Sequence, residues 1–225
     1  VECSGFLLEN GKWQFVAGNA ALDSTAAPLD DIVQPEKYVG LETGILEAEA
    51  ISADTLRDLG LLLLRYNVSA KTVAVLAWCA GCFVKEYLRQ AHVKYPHLFL
   101  IGEAGSGKSN TLERVILPIF ARTRVNAATQ VTAFTLMKES ASSNCIPQAL
   151  DEFKPSKTDR QRLNWLYNHM RDSYDGHAGL RGRADQTQVS YDLLAPLVIA
   201  GEQSPDEAAV RERGLELLFS KKDIH

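Results

Sequence analysis

Two short apolar runs flank Asn10-Gly11 between Gly5 and Val16. Gly-Phe-Leu-Leu-Glu-Asn-Gly-Lys-Trp-Gln-Phe-Val therefore reads as two short strands joined by Asn10-Gly11, a favoured two-residue turn. The pattern then fades. Ala20 to Val39 is rich in Ala, Asp and Pro without a period, and Glu42 to Ala50 suits helix and loop equally. At Ser52 the period becomes helical. Ser52 is placed to cap a helix carrying Leu56, Leu59 and Leu63, and Ser69 to cap a second one reaching about Arg89. These helices form a hydrophobic collar ahead of His97-Leu-Phe-Leu-Ile101, a short unbroken apolar run of the kind buried strands show.

Beyond that run, Ser109 to Ile116 carries Leu112, Val115 and Ile116 at helical spacing. Thr123 to Asn126 fits a short strand, and Thr132 to Ser140 a helix with Phe134, Leu136 and Met137. Cys145 to Leu150 is apolar and ends on Asp151-Glu152. Ser156-Lys-Thr-Asp159 resembles a capping box opening a helix with Leu163, Leu166 and Met170, which ends near Gly176. Leu180 to Tyr191 reads as a polar hairpin, and Leu193 to Ala200 as a buried strand followed by Gly201-Glu202-Gln203-Ser204. Strands alternating with helices predict an α/β fold, a parallel sheet with helices on both faces. The expected layout is an N-terminal hairpin and irregular region over 1–50, the helical collar over 51–95, and the α/β core over 96–225. No internal repeat and no low-complexity tract is visible.

The chain has 225 residues, 46% hydrophobic and 23% charged, enough for one large domain or a small one beside a fuller one. A net charge of −4 removes bulk basicity as a reason to bind nucleic acid, so any such contact must come from a local patch. Four cysteines without a visible signal peptide fit a reducing, cytoplasmic setting, and a chain beginning at Val1 suggests a fragment or a processed product. The uncharged run Thr72 to Val84 is far short of the roughly twenty residues a membrane-spanning helix needs. Trp78-Cys79-Ala80-Gly81-Cys82 resembles a thioredoxin active site, yet it lies inside the helical pattern that Ser69 opens, so both thiols read as core residues. No second Cys or His pair stands at zinc-ligand spacing.

The candidate chemistry begins at Gly102-Glu103-Ala104-Gly105-Ser106-Gly107-Lys108-Ser109, which fits G-x-x-x-x-G-K-[ST] between the predicted strand and helix. Average composition makes such a match a chance event in about one chain of this length in a hundred. The glycines let the backbone curl with its N–H groups inward, where the first turn of a helix also offers unpaired donors to phosphate. Lys108 supplies positive charge to the β and γ phosphates, and the Ser109 hydroxyl is placed to ligate Mg²⁺, with Asn110 following in the first turn. A second element must complete the metal site and activate water. Asp151 would hold Mg²⁺ and Glu152 would act as general base; the alternative is an acidic helix start ahead of Lys154-Pro155.

With the P-loop, the Asp151-Glu152 strand, a third strand ending in polar residues, and Arg211-Glu-Arg213 before Gly-Leu-Glu-Leu-Leu-Phe219, the chain resembles AAA+ ATPases. The wording HLFLIGEAGSGKS, ALDEF, APLVIAGEQ and RERGLELLF is similar to the superfamily-3 and MCM-like helicase ATPases of phages, plasmids and mobile elements. The resemblance implies ATP and Mg²⁺ as cofactors, ATP hydrolysis, a ring of subunits, hexameric by family habit, and DNA rather than RNA as partner. It also implies a γ-phosphate sensor at Glu202 or Gln203, where the family has Asn, Ser or Thr. A trans-acting arginine falls on Arg213, with Arg211 in reserve, and a DNA-gripping hairpin on Arg181 and Arg183. The family's helical lid would follow His225. Two other readings stay open: a P-loop switch acting through protein partners, and a degenerate domain that keeps nucleotide as a structural element.

Overall fold

Alternate residues of three adjacent strands feed two different cores, which makes the molecule three layers deep. A computed structural model describes residues 1, 3–32, 41, 51–182 and 188–223. The Glu42 to Ala50 stretch and Arg183 lie outside the described residues. Strands β1 (Gly5–Glu9), β2 (Lys12–Val16) and β3 (Ala21–Asp23) form an antiparallel sheet, then helices α1 (Ala53–Arg65) and α2 (Ser69–Gln90) follow. Next come β4 (His97–Gly102), α3 (Lys108–Thr111), a wider π-type turn over Leu112–Ile116, α4 (Leu117–Ile119) and β5 (Asn126–Ala127). The remainder is α5 (Ala133–Ser142), β6 (Gln148–Phe153), α6 (Arg160–Asp175), β7 (Ala178–Gly182), β8 (Gln188–Asp192), β9 (Leu197–Gly201), α7 (Ala208–Arg211) and β10 (Gly214–Phe219).

Five strands build one parallel sheet in the order β10-β4-β9-β6-β5. Leu98 and Leu100 of β4, Ala149 of β6, and Val198 and Ala200 of β9 join the core formed with α2 and the α3–α4 helix. Phe99 and Ile101, Leu150 and Phe153, and Leu197 and Ile199 join the core under α5, α6 and α7. This period-2 partition is the signature of a sheet covered on both faces.

Local chemistry explains the boundaries. Asn10 (φ 51) and Gly11 (φ 77) are both left-handed, so the first hairpin closes as its sequence predicts. β3 extends it into a third strand that the unpatterned Ala20–Val39 stretch does not announce. Ser52 caps α1 by accepting from the Thr55 N–H. Ser69 is not a cap: it is the first residue of α2, and its hydroxyl donates back to the Leu64 carbonyl, closing the elbow between the helices. The capping box at Ser156 is also corrected. Pro155–Lys157 forms a separate 3₁₀ turn, and the Asp159 carboxylate caps α6 by accepting from the N–H groups of Gln161 and Arg162.

The N-terminal sheet is tied to the core by a backbone bridge between Ser4 and Ser143 and by the side chain of Asn144. Asn144, 2% exposed, accepts from the Phe6 N–H at 3.0 Å and donates to the Phe6 carbonyl at 2.6 Å, standing in for a paired strand. Helix α1 buries no residue completely: Leu56 and Leu62 are about 60% and 66% exposed. Among the described residues no single helix is long and apolar enough to cross a membrane.

Candidate active site

The glycine loop leaves β4 at Gly102 and turns into α3 through Gly105 (φ 76) and Gly107 (φ 89), backbone values at which any Cβ is strained. Lys108, only 7% exposed, is the first residue of α3. Its ammonium donates to the Glu103 carbonyl at 2.7 Å and to the Ser106 hydroxyl at 3.3 Å, so it already lies across the loop. Burial lowers its pKa, while the carboxylates of Glu202, Asp151 and Glu103 favour its charged form and Lys154 opposes it. Ala104, Ser109 and Asn110 are exposed around the same turn. Glu103 is held from the far end of the sheet's edge strand, accepting from the Lys221 N–H at 3.2 Å.

Ser109 and Asp151, far apart in sequence, meet here: the Ser109 hydroxyl donates to Asp151 Oδ2 at 2.7 Å. One hydroxyl and one carboxylate, both hard oxygen donors, suit Mg²⁺, which keeps most of its coordination for water and phosphate. Among the described residues no cluster of three or more His, Cys, Asp or Glu side chains forms a metal cage. Glu152 is exposed and its backbone is left-handed, φ 59, at the point where the β6–β9 register slips between Leu150 and Phe153. Its N–H donates to Asp151 Oδ1 at 2.7 Å. A bulge of this kind re-aims a side chain out of the strand's alternation, and backbone strain concentrates at sites where geometry serves function.

Because β9 lies between β4 and β6, the residues that follow it emerge between the glycine loop and the acidic pair. Glu202 does so, with Oε1 at 2.6 Å from Lys154 Nζ. Its hydrogen bond to Lys154 holds its carboxyl below the usual range, helped by Lys108 and Lys157. Gln203 turns the other way, accepting from the Ser156 N–H at 3.2 Å and hydroxyl at 2.7 Å.

This is an α/β P-loop fold. No family model matches the sequence, and no curated protein does. Many solved structures resemble the chain path, two of which follow. JCV helicase, in complex with a thiazolopyridine acetamide, has 12% identity and a TM-score of 0.40, with 75% of this chain and 51% of that one covered. The Thermotoga maritima RuvB Holliday junction branch migration motor has 17% identity and a TM-score of 0.36, with 69% and 49% covered. The chain thus spans about half the length of either structure.

The arginines are distributed differently. Arg213 precedes β10, whose first residue pairs with His97 at the start of β4, so it sits at the opposite end of the sheet from the glycine loop. It donates to the Ala209 carbonyl at 2.7 Å and to Asp175 at 3.1 Å, and its guanidinium lies 5.5 Å from the Tyr174 ring. Arg211, the last residue of α7, is exposed. Arg181 pairs with Val189 in the β7–β8 hairpin backbone, and Arg183 is outside the described residues.

Cys79 and Cys82 lie mid-helix in α2, 1% and 0% exposed, and burial pushes Cys79 up to about 12 and Cys82 well above its usual value. They are packing residues. Three contributors escape sequence reasoning. Tyr66 hydrogen-bonds Thr111 at 3.3 Å beside the glycine-loop helix, Lys221 reaches Glu103 from beyond β10, and Lys154 pairs with Glu202. For Lys154 the adjacent Asp-Glu offered a signal; the other two depend on long-range folding alone.

Proposed function

We propose that the chain is an ATP-hydrolysing motor module of AAA+ type, acting on nucleic acid as a DNA helicase or translocase of a phage or mobile-element replication system and working as a ring. The observation that carries hydrolysis is the contact between Ser109 and Asp151, with Glu152 set beside them in a left-handed bulge. ATP with Mg²⁺ supplies the phosphoanhydride bond that is cleaved. Lys108 turns its ammonium from the Glu103 carbonyl toward phosphate oxygens, neutralising charge where it develops. Ser109 and Asp151 would hold the metal. Glu152 orients the attacking water and accepts its proton, a role worth about 10²–10⁴ in rate.

Arg211 and Arg213 are candidates for completing a neighbouring subunit's site. The exposed Arg211 suits that reach, whereas the contacts of Arg213 with Asp175 and Ala209 suit a structural role. Arg181 and Arg183 would grip the nucleic-acid backbone, a contact independent of base sequence. The exposed leucines of α1 favour a second reading, a P-loop switch that works through protein partners. Hydrolysis measured with and without single-stranded DNA separates the two: stimulation supports the motor, and indifference to DNA moves the assignment to the switch.

A further inference from the structure

Lys154 and Glu202 are the first residues beyond two neighbouring strands. Phe153 pairs with Gly201 at the ends of β6 and β9, and the Glu202 N–H donates to the Phe153 carbonyl at 3.2 Å. The two side chains meet at 2.6 Å and stay about one third exposed, 31% for Lys154 and 38% for Glu202, so the pair is open to solvent and to ligands. Both act on the Lys108 ammonium, Glu202 favouring its charge and Lys154 opposing it. A carboxylate beside a phosphate-binding lysine is a liability, because it repels the anion that Lys108 is there to hold. Pairing with Lys154 removes that repulsion. Lys157 also favours the charged form of Glu202.

From this geometry we propose that Lys154 reads the terminal phosphate of the bound nucleotide, exchanging the Glu202 carboxylate for a γ-phosphate oxygen, with Glu202 as the positioning residue that holds it ready. The inference rests on the nucleotide-binding reading above and deepens it. A terminal phosphate carries more charge than a carboxylate and offers three strong acceptors, so it competes for the same ammonium. A diphosphate lacks those terminal oxygens, so the exchange would make the site sensitive to the third phosphate. Gln203, the other sensor candidate, is engaged by Ser156 and plays no part in the exchange.

The test compares dissociation constants of the wild-type chain for the β,γ-imido analogue of ATP and for ADP, both with Mg²⁺, by calorimetry. Lys154→Met is expected to lower the preference for the imido analogue over ADP by about 10- to 100-fold, the worth of a charge-assisted hydrogen bond. Lys154→Arg should restore most of the preference. Glu202→Gln, which frees Lys154 from its partner, should raise that preference in the wild-type background. Circular dichroism of each variant checks folding, and Lys154→Arg supplies the readout if the Met variant unfolds. An unchanged ratio of the two constants in a folded Lys154→Met protein overturns the proposal alone. Wild-type protein that binds neither nucleotide, or a Lys108→Ala variant that binds both as well as wild type, overturns the nucleotide reading with it.

Discussion

Replacing Glu152 should separate stability from activity in a direction that ordinary carboxylate mutations do not. Its φ of 59 places a Cβ where left-handed backbone costs an L-residue roughly 1–2 kcal/mol, a cost that glycine escapes. Alanine keeps the Cβ and the cost; glycine removes both, but adds about 0.4–1 kcal/mol of unfolded-state entropy. Glu152→Gly is therefore expected to be more stable than both Glu152→Ala and the wild type, which share the left-handed Cβ, by about 1 kcal/mol. For a chain of this size that is a Tm difference of about 2–4 °C. Both variants lose the carboxylate, so both should hydrolyse ATP about 10²–10⁴ times more slowly. Thermal and urea unfolding measure the first half, and steady-state phosphate release the second. An alanine variant as stable as the glycine variant would refute the left-handed bulge and the strain argument built on it.

Asn144→Ala removes both side-chain hydrogen bonds to Phe6 of β1 and should destabilise the chain by about 1–3 kcal/mol in urea titrations; a change within 0.5 kcal/mol, the range of ordinary surface substitutions, contradicts that anchoring role. His97 and His169 are buried neutral, each with its pKa pushed from 6.5 down to about 4 by desolvation. The unfolded chain binds more protons between those values, so stability is full above about pH 6.5 and falls toward pH 4, by about 2–3 kcal/mol per histidine. Urea midpoints measured across that range test this, and a flat profile contradicts it. Arg213→Ala should lower stability through loss of the Asp175 pair, while Arg211→Ala should leave unfolding unchanged and slow hydrolysis of the assembled protein by about 10³-fold or more. Sedimentation, unfolding and turnover on the two variants together check this, and equal effects on turnover contradict the distinction.

The parts of the site legible in sequence are those whose chemistry is local. The glycine loop needs its glycines and lysine within one turn, and Asp151-Glu152 needs only an apolar strand before it, so both announce themselves. The hairpin about Asn10-Gly11 is legible for the same reason. Elements fixed by distant contacts are not. β3 has no period of its own and forms by pairing Gln14 to Val16 with Ala21 to Asp23. Ser156 matches a helix cap in sequence, yet its hydroxyl is spent on Gln203, forty-seven positions away, and Asp159 takes the cap. The pairing of Lys154 with Glu202 exists only because β9 inserts beside β6, an order that no run of residues encodes by itself.

The central claim is that Ser109, Asp151, Glu152 and Lys108 form one hydrolytic site. Its most direct test is ATP turnover at saturating nucleotide and Mg²⁺ by wild-type protein and Glu152→Gln, with nucleotide binding measured on the same samples. The account predicts hydrolysis by the wild type, a fall of about 10²–10⁴ in the variant, and unchanged binding. Equal rates in the two proteins, with both binding nucleotide, would contradict it.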